Sequence, residues 1–98
     1  MIQNALEGTV TPIKRVVAPY IMKRGRRPVA IFRLSEIPDE EWIRKFKEWA
    51  ILGHYDPFNF KFSGDEIAII LLSELELEDL APAVARFING ANIDTGRT

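Results

Sequence analysis

With 98 residues and a net charge of −1, the chain is long enough for one hydrophobic core and too short for two. Its 47% hydrophobic and 28% charged residues place it among folded globular domains and exclude a disordered chain. The absence of cysteine excludes disulfides, thiolate metal sites and a cysteine nucleophile.

The longest apolar run, Ile67 to Leu72, is too short to span a bilayer. The opening Met1-Ile2-Gln3-Asn4 lacks the basic start and apolar core of a signal peptide, so a cytoplasmic location is expected. No internal repeat, low-complexity tract or linker divides the chain. A single domain over 1–98 is expected, with 1–8 and 91–98 loosely ordered.

Residues 9–22 carry two patterns. Thr11, Pro12, Ile13, Val16, Val17, Tyr20, Ile21 and the terminator Gly25 suit a helix, but Pro19 in its interior would cost about 3 kcal/mol. As a strand the segment forms a hairpin with residues 28–34 through the basic turn, and Pro12 and Pro19 confine it to a sheet edge.

A helix is predicted from Pro38 to Leu52. Pro38 suits its first position, Asp39, Glu40 and Glu41 match the positive end of the dipole, and Trp42, Phe46 and Trp49 recur at helical spacing. Gly53 reads as the residue after its cap. Phe58, Phe60 and Phe62 alternate with polar residues as a half-buried strand. Ser63-Gly64-Asp65-Glu66 supplies a turn, and residues 66–72 follow as a fully apolar central strand. A last helix is predicted over residues 76–89, with Leu77, Leu80, Ala81, Val84 and Ile88 as its stripe and Gly90 as its end. Ser73 to Glu76 matches a capping box, and Pro82 moves the start of regular helix towards Asp79.

From residue 28 onward the order is strand, helix, strand, strand, helix, which is ferredoxin-like with the last strand missing. An N-terminal strand fills that slot. The expected fold is α+β, a β-β-α-β-β-α two-layer sandwich with a four-stranded antiparallel sheet and two helices on one face. It resembles a circularly permuted ferredoxin-like sandwich, with strands ordered 9–22, 28–34, 66–72, 57–63. Such an analogy carries no function.

Catalytic chemistry has little to build on. His54, the only histidine, follows the first helix, where a helix-end role explains it better than catalysis. Ser35, Ser63 and Ser73 fit turns and caps. One histidine and scattered carboxylates make no metal site, and Glu74, Glu76, Glu78 and Asp79 read as a solvated helix start. No glycine-rich phosphate loop is present. A non-enzyme without cofactor or metal is expected.

Two features point to partners. Residues 1–34 hold seven Lys/Arg and one acid, and residues 35–98 hold six Lys/Arg and thirteen acids. Within the basic third, Lys23-Arg24-Gly25-Arg26-Arg27-Pro28 resembles an AT-hook core, which runs Arg-Gly-Arg-Pro, with Arg27 intruding before Pro28. Lys23, Arg24, Arg26 and Arg27 are therefore candidate nucleic-acid contacts. The second feature is the sheet centre, which is apolar on both faces. Ala30, Phe32, Leu34, Ala68, Ile70 and Leu72 share one residue parity, and Val29, Ile31, Ile67, Ile69 and Leu71 the other. One face meets the helices and the other invites a cover. The first set is the candidate partner surface. A small interaction module (adaptor, regulator or inhibitor), homodimeric through the sheet face, is the leading expectation, and nucleic-acid binding by the 23–27 hairpin the alternative.

Overall fold

The computed structural model describes residues 11–97. Strand β1 (Tyr20–Arg24) and strand β2 (Arg27–Arg33) form the first hairpin. Gly25, the first of its two loop residues, has φ +73°, as a type II′ turn requires. Gly64 (φ +59°) does the same between strand β3 (Phe60–Ser63) and strand β4 (Glu66–Ile70). The sheet is antiparallel in the order β1-β2-β4-β3, so the two hairpins join through β2 and β4. With helix α1 (Glu40–Leu52) after β2 and helix α2 (Leu77–Asp94) after β4, the β-β-α-β-β-α sandwich is present as expected.

The N-terminal segment is extended, not helical, and its regular strand is shorter than residues 9–22. Residues 9 and 10 lie outside the described ones. Arg15 bridges Leu34, and the Val16 N–H donates to the Arg33 carbonyl, so residues 14–16 continue the β1 edge along β2. Between the Arg15–Leu34 and Tyr20–Ile31 pairs, four residues (16–19) face only two (32–33). This bulge absorbs Pro19, which has no N–H for a ladder.

Helix boundaries shift for identifiable reasons. Asp39, not Pro38, begins α1, because its carboxylate caps the Trp42 N–H at 2.9 Å. Phe58 is not in a strand. It sits in a 3₁₀ turn, Pro57–Asn59, where Asp56 caps its N–H, and it is exposed. The Ser73–Glu76 capping box is present, but it opens a 3₁₀ turn, Glu74–Glu76, that runs directly into α2. Pro82 lies inside α2, and the exposure of Glu78 and Pro82 allows water to reach the carbonyl left without a donor. Gly90 does not end the helix. A Cβ there would lie 2.4 Å from the Trp49 indole, so glycine is what lets α1 and α2 approach. The helix accordingly runs through residues 91–94 instead of loosening after Gly90.

The core lies between the helices and one sheet face. Ala30, Phe32 and Leu34 from β2 and its end meet Ile67, Ile69 and Leu71 from β4 and its end, under Trp42, Phe46, Val84 and Phe87. Phe46 is the hub, with edge-to-face contacts at centroid distances of 5.2 Å to Phe60, 5.2 Å to Phe62 and 5.6 Å to Phe87. Among the described residues one buried side chain is polar. Asn92 accepts from the Ile13 N–H (3.0 Å) and from Trp42 Nε1–H (2.9 Å), and its amide donates to the Ile13 carbonyl (2.9 Å).

Two variants test this core. Phe46→Ala should lose about 3–5 kcal/mol in urea unfolding. Asn92→Leu keeps the branched shape but orphans three buried groups, at about 1–3 kcal/mol each, so a loss of at least about 3 kcal/mol is expected. A loss under about 1 kcal/mol from either variant would remove that residue from its assigned role.

Candidate functional site

Alternation along each strand leaves one sheet face away from the helices. The registers assign it in cross-strand rows. Met22, Val29 and Ile70 form one row, Tyr20, Ile31, Ala68 and Lys61 the next, and Arg33, Glu66 and Ser63 a third. The candidate partner set therefore divides. Ala30, Phe32 and Leu34 are core, facing the helices, while Ala68 and Ile70 belong to the open face. The cause is the β2–β4 register, which pairs Ala30 with Ile69 and Ile31 with Ala68, so even residues of one strand meet odd residues of the other.

The open face is covered at one end by the chain's own side chains. Val29, Ile31 and Ala68 form a small buried cluster with Tyr20 packed against it. Arg33 Nη1 lies 3.1 Å from an Asp65 carboxylate oxygen and Arg33 Nη2 3.9 Å from Glu66. Its guanidinium is held above the ordinary arginine value, first by the Tyr20 hydroxyl and then by the Asp65 and Glu66 charges. Arg24 contacts Glu66 at 3.4 Å. Arg24 pairs with Arg27 and Glu66 with Arg33, six residues further along β2, or about 20 Å in a flat strand. The contact is possible because the sheet coils towards its open face.

At the other end the cover stops. Met22 is 41% exposed and Ile70 56%, and Leu72, past the end of β4, is 79% exposed. Tyr20 and Met22 are the open-face residues that sequence reasoning missed. The II′ turn at Gly25-Arg26 was the available signal, because a two-residue loop fixes Met22 opposite Val29.

The basic run forms the tip of the first hairpin. Arg24 and Arg27 face each other across the strands, so the run is not an extended segment, and the AT-hook resemblance ends at residue types. Lys23, Arg24, Arg26 and Arg27 are all exposed, and Arg24 is committed to Glu66. Lys14 and Arg15 share this sheet edge, which the ambiguous reading of 9–22 concealed.

His54 has a backbone task. The Tyr55 N–H donates to the Ala50 carbonyl and the His54 N–H to the Ile51 carbonyl, which is a Schellman ending with Gly53 at the cap and His54 after it. His54 takes the left-handed φ of +66°, not Gly53. Gly53 is held to glycine because a Cβ would meet the Phe87 ring at 2.9 Å. Among the described residues no group of three His, Asp or Glu is placed to hold a metal, and no helix is long and apolar enough to cross a membrane. Compared with known proteins, the chain matches no family model, no curated protein and no solved structure.

A left-handed non-glycine residue costs about 1–2 kcal/mol. His54→Gly should therefore stabilise the domain by up to about 1 kcal/mol, net of glycine's extra freedom in the unfolded chain. His54→Gln should leave folding and partner binding unchanged. Thermal melts decide the first, and a destabilised glycine variant would give the imidazole a role the backbone does not explain.

Proposed function

We propose that this domain is a non-enzymatic protein-interaction module, an adaptor, regulator or inhibitor, that pairs with a second copy of itself through the open sheet face. The observation that carries the reading is that Met22 and Ile70, both exposed, flank buried Val29 in one cross-strand row of the open face. Two apolar side chains in water at the edge of an already dry cluster extend that cluster when covered. Two-fold pairing is the simplest cover for a self-complementary patch. An axis along β2 sets each Met22 against Ile70 of the partner subunit and brings the Val29 rows together. An interface of about 800 Å² per chain suffices for a stable dimer.

The test separates interface from core. Ile70→Asp alters a half-exposed residue and should give folded monomer. Ile31→Asp and Phe32→Asp each place a charge at a fully buried position and should unfold the chain. Light scattering with circular dichroism reads both effects. A wild-type monomer at about 100 μM protein, a concentration at which even a weak dimer is populated, would overturn the reading. So would a dimer unaffected by Ile70→Asp.

A further inference from the structure

We infer that the β1 edge of the sheet is a track for a nucleic-acid backbone, independent of the open face and wider than the hairpin tip. Lys14 and Arg15 lie at one end of this edge and Lys23 near the other, where Arg26 in the turn and Arg27 at the start of β2 extend the basic group. All five are exposed. Among the described residues none of the five pairs with a carboxylate, although the chain as a whole is slightly acidic. The acids are elsewhere. Asp65 and Glu66 hold Arg33 and Arg24, Glu41 and Glu48 pair within α1, and Glu36 pairs with Arg97.

The five residues follow one edge. Arg15 stands opposite Leu34 and Arg24 opposite Arg27, so the edge follows seven residue steps of β2, about 23 Å measured along the coiled strand. A duplex carries one negative charge per roughly 3.4 Å along each strand, so an edge of this length faces several phosphates. An edge strand also turns one row of backbone N–H and C=O groups outward. Backbone N–H groups are ordinary phosphate donors. A second copy adding its own β1 here would set like charges opposite one another, which is unfavourable. A polyanion meets no such repulsion. Contacts to phosphates alone carry no sequence information, so binding should be insensitive to sequence.

The experiment is fluorescence anisotropy with a labelled mixed-sequence DNA duplex, starting at about 50 mM salt, where non-specific electrostatic binding is strong. Five phosphate contacts predict a log–log salt slope near −4.5, at about −0.9 per contact on a duplex. The double variant Lys14→Ser, Arg15→Ser should flatten the slope by roughly 1.8, and the triple variant Lys23→Ser, Arg26→Ser, Arg27→Ser by roughly 2.7. The control Arg44→Ser, Arg86→Ser removes two exposed basic residues of the helix layer, away from the edge and the open face, and should change nothing. Melting curves confirm that each variant folds. No binding by the wild type overturns the inference, as does a slope that the control shifts as much as the edge variants. Edge-dependent binding to phosphatidylserine vesicles without binding to DNA overturns it in favour of a lipid surface. None of these results depends on dimerisation, which Ile70→Asp reports separately.

Discussion

The fold depends on one buried amide. Asn92 gives the Ile13 backbone the two hydrogen bonds a neighbouring strand would give, and it accepts a third from the Trp42 indole. It thereby fastens three elements that are distant in sequence: the N-terminal segment, α1 and α2. The site is dry, so each bond is stronger than it would be in water and each broken one more costly. Ile13 enters the core fully buried because its backbone polar groups have somewhere to go. Trp49 repeats the arrangement at the surface by donating to Asp94 at 2.9 Å, across the contact that Gly90 makes possible.

Much of the fold was legible because local and long-range preferences agreed. The Trp42, Phe46, Trp49 stripe, the Ser73–Glu76 capping box, the two glycine turns and the strand order all follow from short-range chemistry. The misreadings have a common cause. Gly90 looks like helix punctuation, yet it is fixed by the Trp49 ring of the other helix, and Gly53, which does cap α1, is held to glycine by the Phe87 ring; no window of local sequence contains either contact. Pro82 looks like a helix breaker, but its position on the solvent side makes it tolerable. The open face was misassigned because the β2–β4 register is set by no turn. Residues 34–65 lie between those strands, so only long-range contacts select the pairing of Ile31 with Ala68. A shift of one residue exchanges the two faces of a strand. The apolar character of both faces was therefore readable, and the membership of each was not.

The charge asymmetry of the sequence becomes spatial order. The basic third of the chain contributes the edge strand and its neighbour, and the acidic remainder contributes the helices and the second hairpin. Where the halves meet, Arg24 and Arg33 are answered by Asp65 and Glu66 over the apolar patch of the open face. These are partly exposed pairs and contribute little stability. Their effect is on access, since they divide the face into a roofed end and an uncovered end. The two proposed surfaces are thus adjacent and distinct, one aliphatic and one cationic, meeting at the first hairpin.

The sheet is two hairpins joined along a seam. Within each hairpin the chain returns after two residues, so pairing there is local and quickly regained after it opens. The seam between β2 and β4 closes over a far longer loop and carries the centre of both faces. Backbone amides along β1 and β3 should therefore exchange with solvent through small local openings that leave the molecule intact. Those buried in the seam should exchange only when the two layers separate. The slowest-exchanging protons would then mark a stripe through the middle of the sheet, and the edge strands on either side could open and re-form around it without loss of the core.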